Sequence, residues 1–343
     1  MSHSAQSLSK ALVDRLAIGG LLAPNRAFLA PMSGVTDLGM RRAAARFGAG
    51  LVVSEMVAAS FYLAADEETR LRAEGEGLPF HVVQIAGRDP ENMGEAARLA
   101  EAAGAHAIDI NMGCPAKRVV GGYAGSALMR EPALAVALAR ATVAAVKVPV
   151  TVKMRLGWDD GEINAPELAR QLESEGVALI TVHGRTRQQF YKGRADWSAI
   201  RAVRAAIGIP LVANGDCDSL PAARTMLEQS AADAVMIGRA AVGRPWLVGR
   251  IGAGLAGAAW REPSDDDKTA AALDHYACLL STFGKEQGVR HARKHLAAYA
   301  DAAAQEGRGL PRPLRARLVT TTDPDEAADL LARSWRDVAE QAA

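Results

Sequence analysis

Cysteine is scarce in this chain: Cys114, Cys217 and Cys278 are the only three among 343 residues. They are widely separated and odd in number, and no Cys-x-x-Cys pair occurs. Neither a disulfide framework nor a zinc site is therefore expected, and a reducing compartment is the natural one. No apolar run reaches the roughly 18 residues that suggest a membrane-spanning helix. Residues 1–10 are polar and lack the apolar centre of a secretion signal. A soluble, cytoplasmic protein with no metal and no membrane partner is the expectation. Net charge is nearly absent too, with 40 Lys and Arg against 39 Asp and Glu. That balance announces no nucleic-acid partner, although an average can hide a local patch. Aromatic residues make up only 5%, which leaves the core to aliphatic and small side chains. A monomer is the default expectation.

Hydrophobic residues are plentiful, and the length suits one large barrel with a small appended domain. Short apolar runs fall at 27–30, 51–54, 81–85, 107–110, 150–153, 179–182, 211–213 and 234–237. Ala-rich amphipathic stretches lie between them, among them 91–103, 133–146, 166–175 and 197–206. The runs are mostly continuous rather than alternating, as in strands buried on both faces. Strands separated by helix-length crossovers imply a parallel sheet. Eight such units over about 225 residues fit a (β/α)8 TIM barrel, which typically takes roughly 250. The rival is a doubly wound open sheet, which calls for a G-x-G-x-x-G turn after the first strand. The chain has Pro31, Met32, Ser33 and Gly34 there instead. Past Arg250 the strand-like runs vanish. An acidic stretch from Glu262 to Lys268 leads into three or four helices, broken at 309–313 by Gly-Leu-Pro-Arg-Pro. The expected organisation is an α/β barrel over 1–255 and a small C-terminal all-α helical domain over 262–343.

Active sites of such barrels lie at the C-terminal ends of the strands. The runs end, in order, on Pro31-Met32-Ser33, Ser54-Glu55-Met56, Gln84, Asn111-Met112-Gly113-Cys114, Lys153-Met154-Arg155, His183-Gly184-Arg185, Asn214-Gly215-Asp216 and Gly238-Arg239. Any one polar ending is ordinary loop chemistry. A whole set of apolar strands finishing on Gln, Asn, Lys, His or Arg points to a site. Gly215 and Gly238 suit a backbone that comes close to a ligand. The loops after strands seven and eight are a common phosphate site, and Arg239 adds a forked cation. The segment 243–246 is a candidate start for the short helix of such a site. Plain turn chemistry is the alternative.

An unpaired ammonium inside a barrel mouth is costly, so Lys153 needs a partner. A reduced flavin carries negative charge at its pyrimidine side and would supply one. Gln84 has a donor and an acceptor to offer the imide edge of such a ring. An internal ion pair of Lys153 with Glu55 or Asp109 is the alternative. Cys114 sits in a loop fixed by Gly113 and Pro115. A thiol of ordinary acidity is mostly protonated at neutral pH and can act as a general acid. Cys217 and Cys278 read as inert small hydrophobes.

Several stretches resemble the bacterial tRNA-dihydrouridine synthases, and the B-type subfamily fits best. They are Ala-Pro-Met-Ser-Gly-Val-Thr-Asp at 30–37, Asn-Met-Gly-Cys-Pro-Ala-Lys at 111–117, Gly-Ser-Ala-Leu-Met at 125–129, Val-Lys-Met-Arg-Leu-Gly-Trp at 152–158 and Val-His-Gly-Arg-Thr-Arg-Gln-Gln-Phe-Tyr-Lys-Gly at 182–193. Asn-Gly-Asp at 214–216, Ile-Gly-Arg at 237–239 and Arg-Lys-His at 293–295 belong to the same likeness. The resemblance implies FMN held by Pro31, Met32, Ser33, Gln84, Lys153, His183, Asn214, Gly215, Asp216, Gly238 and Arg239. It implies NADPH as reductant, hydride delivery to C6 of a tRNA uridine, and Cys114 as the proton donor to C5. Asn111 and Arg155 would face the uracil.

With that likeness the hidden charge has a use. Residues 285–317 carry eight Lys or Arg against three acids, whereas from Asp323 onward six acids face two Arg. A basic stretch around Arg293 and Lys294 suits the phosphates of folded RNA; an ordinary solvated helix face is the bland reading. Two other functions compete. One is an FMN barrel acting on a small pyrimidine, such as dihydroorotate, which needs no basic helical domain. The other is a flavin- or RNA-binding regulator to which Cys114 is dispensable.

Overall fold

The computed structural model describes residues 15–122 and 124–336. Residues 1–10, for which no secretion signal was expected, lie outside the described residues. The chain opens with a hairpin, β1 (Leu16–Ile18) and β2 (Leu21–Ala23), joined by Gly19 and Gly20. Then come β3 (Ala27–Leu29), β4 (Leu51–Val52), β5 (Val57–Ala58), β6 (Val82–Ala86), β7 (Ala107–Met112), β8 (Val150–Arg155), β9 (Leu179–His183), β10 (Leu211–Asn214) and β11 (Ala234–Ile237). These nine pair in parallel in the order β4-β3-β11-β10-β9-β8-β7-β6-β5. Both β4 and β5 belong to one barrel position. Val53, just after β4, bridges Val82 of β6, and the Ser54 N–H donates to Val82 O at 2.9 Å. The sheet thus closes into the eight-position barrel expected from the sequence.

Strand side chains such as Val83, Ile108, Val152, Ile180, Val212 and Ile237 are fully buried, which is why their runs are apolar throughout. The helices between them start on local capping chemistry. Asp89 accepts from Asn92 N at 2.8 Å ahead of the helix Pro90–Ala102, and Pro occupies the first turn of Pro132–Ala145 and Leu220–Ser230.

After the barrel's last helix, Trp246–Ala256, a capping box at Ser264 and Asp267 starts the long helix Asp265–Gln305. Gly284, at φ 74°, breaks that helix into two arms. Shorter helices follow at Arg312–Thr320 and Pro324–Ala332. Tyr276, Leu279, Val289, Leu296, Tyr299, Leu331 and Trp335 form the core of this region. Trp246 contributes to that same core, with its ring 6.0 Å from that of Trp335. The helical region therefore shares its core with the barrel's closing helix. It also packs on the helix Leu38–Arg46, where a Cβ on Gly39 would lie 2.6 Å from His275 Cδ2. No helix among the described residues is long and apolar enough to cross a membrane.

Candidate active site at the C-terminal ends of the barrel strands

Parallel register brings the strand-end residues to one mouth. Gln84, Asp109 and Thr151 stand side by side on β6, β7 and β8. Gln84 Nε2 donates to Asp109 Oδ2 at 2.7 Å, and Thr151 Oγ1 donates to Asp109 Oδ1 at 2.6 Å. Burial pushes the Asp109 carboxyl up, against the pull of these two donors. Gln84 Oε1 accepts from Asn111 Nδ2 at 2.8 Å. Asn111 Oδ1 in turn accepts from Cys114 N at 2.9 Å and Gly113 N at 3.1 Å. Cys114 O takes hydrogen bonds from Ser126 N at 3.0 Å and Ser126 Oγ at 2.9 Å. A continuous network therefore runs from the barrel interior to the backbone of Cys114, whose side chain is partly exposed.

Two cations on β8 are treated differently. Arg155 donates Nε to Gly113 O at 2.7 Å and Nη1 to Thr186 O and Phe190 O at 2.9 Å each. Lys153 makes no hydrogen bond or ion pair among the described residues. Burial, with the Arg155 charge, lowers its amine to about 8, while Asp109 and Cys114 oppose the shift. The ion pair of Lys153 with Glu55 or Asp109, one of the two readings open in the sequence, is not formed. The Glu55 carboxylate instead accepts from Gly34 N.

His183 is buried, and burial plus Lys153, Arg155, Arg185 and Arg239 hold its pKa far below the ordinary range. It stays neutral, and Arg185 Nη1 lies 3.2 Å from its Nε2. Arg185 also donates to Lys192 O, Gly193 O and Asp216 Oδ2, at 3.1, 2.7 and 2.5 Å. Burial raises the Asp216 carboxyl. Hydrogen bonds from Ala195 and Arg185, with the charges of Arg185 and Arg239, outweigh that and keep it low. Arg239 reaches Asp216 Oδ1 at 3.1 Å while its side chain stays 63% exposed.

The turn after β10 is made by Asn214, whose Nδ2 donates to Met236 O at 2.9 Å, and by Gly215 at φ 118°. A Cβ on Gly215 would lie 2.7 Å from Ala195 Cβ and 2.9 Å from His183 Cδ2, so only glycine fits. Gly238 precedes a 3-10 turn, Arg239–Ala241, and faces the loop after β3: its Cβ position lies 3.6 Å from Met32 Sδ. Pro31, Met32 and Ser33 thus join the mouth. Segment 243–246 leads instead into the separate helix Trp246–Ala256.

Lys294 arrives from the helical region, with Nζ 3.5 Å from the Cβ position of Gly34. Arg293 donates to Thr320 O at 3.3 Å and lies against the helices. Much of the basic stretch is neutralised by neighbours: Arg290 by Glu286, Arg308 by Asp265, Arg315 by Asp301 and Arg317 by Glu326. Sequence reasoning assigned no role to Tyr191. It is 54% exposed, and its ring lies under the guanidinium groups of Arg155, 5.5 Å away, and Arg239, 5.3 Å away. A lone tyrosine among Arg187, Lys192 and Arg194 was the available signal. The other two thiols lie elsewhere. Cys217 is buried and pushed up to about 12 by burial and Asp218, and burial also raises Cys278.

A closed parallel barrel with a cation-lined mouth, at which the Cys114 thiol is partly exposed, defines the class: a TIM-barrel enzyme. Residues 28–337 match the family described as Dihydrouridine synthase (Dus), and the chain belongs to that family. A protein of Rhizobium leguminosarum bv. phaseoli named probable tRNA-dihydrouridine synthase is 53% identical over 304 residues, covering 89% of this chain and 93% of its own. The tRNA-dihydrouridine synthase B of Xanthomonas axonopodis pv. citri is 47% identical over 277 residues, covering 80% of this chain and 83% of its own. Among solved structures, the old yellow enzyme homologue of Zymomonas mobilis aligns with a TM-score of 0.51 at 18% identity, over 75% of this chain and 96% of its own. At that identity the likeness concerns the fold.

Proposed function

We propose that this protein reduces uridines of tRNA to 5,6-dihydrouridine, with FMN as bound cofactor and NADPH as reductant. One observation carries the reading: the unpartnered Lys153 amine shares the barrel mouth with the partly exposed Cys114 thiol. The relatives' name supplies the substrate class.

The residues fit FMN. Lys153 offers a cation to the charge of a reduced flavin. Gln84 keeps one amide hydrogen and one lone pair after its bonds to Asp109 and Asn111. Gly215 makes the turn after β10 without a side chain that would clash with Ala195 and His183, Gly238 leaves room for a phosphate to approach the backbone, and Arg239 presents an exposed guanidinium beside it. Asn214 and Asp216 hold that turn, His183 lines it as a neutral ring, and Pro31, Met32 and Ser33 form the opposite wall.

Held by these residues and reduced by NADPH, FMN would supply hydride chemistry toward C6 of the uracil. Cys114 holds the proton destined for C5 and gives it up as general acid. Asn111 and Arg155 bond to Gly113 and Cys114, fix the thiol's position and are placed to face the uracil. Residues 262–343 act as a tRNA-orienting domain on a catalytic barrel of residues 1–255, with Lys294 and Arg293 on its mouth-ward helix. The target uridine leaves its stack to reach the mouth.

The test mixes purified protein and NADPH with tRNA that lacks dihydrouridine. Free uridine and orotate, the unsaturated partner of dihydroorotate, serve as parallel substrates. The expected result is NADPH oxidation coupled to dihydrouridine in tRNA alone. Turnover of a small pyrimidine with tRNA left unchanged overturns the reading.

A further inference from the structure

The segment Arg293-Lys294-His295 sends its third residue away from the mouth, into the seam between barrel and helical region. There Asp37, which caps the helix Leu38–Arg46, meets His275 and His295 from the two arms of the long helix. The histidines are 1% and 2% exposed. Asp37 Oδ2 lies 3.2 Å from His275 Nε2 and 3.2 Å from His295 Nε2. Donors bound to a tetrahedral zinc at about 2.0–2.1 Å sit roughly 3.3 Å apart, close to these separations. All three candidate donor atoms fall within 4.8 Å of one another.

The surroundings hold the donors as a metal's outer partners would. Tyr299 OH is 3.0 Å from His275 Nδ1, which leaves Nε2 facing the carboxylate. Met40 N–H donates to Asp37 Oδ1 at 3.1 Å; Oδ1 also lies 3.0 Å from His275 Nε2, and Oδ2 faces both rings. His295 supplies an independent sign: its Nδ1 is buried with no partner, and its Nε2 meets the Asp37 carboxylate at 3.2 Å without hydrogen-bond geometry, an arrangement that is costly unless something else occupies it. A small cavity lined by Asp37, Glu55 and Cys278, but by neither histidine, adjoins the cluster on the carboxylate side. Glu55 adds negative charge on that side, and Arg41, bonded to Thr36 O at 3.0 Å, opposes it.

We propose that Asp37, His275 and His295 form a binding site for a transition-metal cation, with Zn(II) the best match to two imidazoles and a carboxylate. The metal ties the loop that carries Pro31, Met32 and Ser33 to the helix that carries Lys294. It acts as a structural clasp between the two walls of the mouth.

The experiment uses the full chain without a polyhistidine tag, stripped with a chelator and then given Zn(II), Co(II) or Mg(II) alone. Uptake of one Zn(II) per chain is expected, with a raised melting temperature that Mg(II) does not reproduce. Co(II) should give the visible absorption of a low-coordinate nitrogen–oxygen site without a thiolate charge-transfer band. His295→Gln and Asp37→Asn should lose that absorption, and Cys278→Ser should keep it. No Zn(II) uptake by the wild-type chain, or equal uptake by His295→Gln, overturns the proposal. If both ligand variants fail to fold, the wild-type Co(II) spectrum decides: its absence, or a thiolate band, overturns the site. None of these readouts depends on tRNA turnover, so the site and the proposed activity fail separately.

Discussion

The two ends of the barrel are made from the same strands and different materials. At the N-terminal ends, Ile18, Phe28, Leu51, Val53, Val82, Leu179 and Met236 form an apolar plug under the opening hairpin. At the C-terminal ends the strands carry Gln84, Asn111, Lys153, Arg155, His183 and Asn214, all part of one polar surface. Within that polar end the contrast repeats on a smaller scale. Arg155 makes three hydrogen bonds to carbonyls, while Lys153, two residues earlier on β8, makes none among the described residues. A half-buried cation without a protein partner, partly stripped of water, costs the fold stability. Such a group persists where a ligand meets it, and that marks the upper end as working surface and the lower end as scaffold.

Substitutions at the two ends should therefore separate stability from cofactor binding. Phe28→Ala opens a cavity in the plug, and a loss of about 3–5 kcal/mol is expected in denaturant unfolding. The fraction that remains folded should keep its flavin. Flavin loss without destabilisation would place Phe28 in the wrong end.

Lys153→Met should do the reverse, lowering flavin content while the melting temperature of the ligand-free protein holds or rises. A pH series sharpens this. The folded Lys153 titrates at about 8, below its unfolded value in the ordinary lysine range. Between those values the unfolded chain binds more protons, so ligand-free stability rises with pH through that window. Lys153→Met should lose that rise, and a variant that keeps it would assign the effect to another group.

Lys294→Ala should weaken tRNA binding and reduce the salt dependence of the affinity by about one unit of slope. Arg315→Ala, which breaks an exposed pair with Asp301, should change stability by no more than about 1 kcal/mol. A tRNA affinity loss with Arg315→Ala as large as that with Lys294→Ala would move the RNA surface away from the mouth.

Much of the barrel was legible because parallel strands buried on both faces leave uninterrupted apolar runs. Strands β7 and β8 run two residues beyond the read ends, because Asn111, Met112, Met154 and Arg155 stay in register as polarity rises. The second position was read as one strand, 51–54. In the structure it breaks at Ser54–Met56, where Ser54 Oγ bonds to Glu55 O and Gln84 N while Glu55 turns to Gly34. The opening hairpin was missed although Gly19 and Gly20 between two apolar triplets are a turn signal.

The mouth residues were legible as strand endings, and the Dus family match agrees with the resemblance of their motifs. What they bond to was not legible. Nothing local predicts that Asn111 spends its oxygen on Cys114 or that Arg185 ties the loop after β9 to the loop after β10. The seam of Asp37 and His275 joins residues 238 apart in sequence, so only the packing of the long helix could reveal it.

The central claim is most directly tested with Cys114→Ala. The variant and the wild-type protein are purified with their flavin, and dihydrouridine formed in tRNA is measured by mass spectrometry. Full flavin content with turnover reduced roughly 10²- to 10⁴-fold, the usual share of a general acid, is the predicted result. Wild-type turnover by Cys114→Ala would contradict the account.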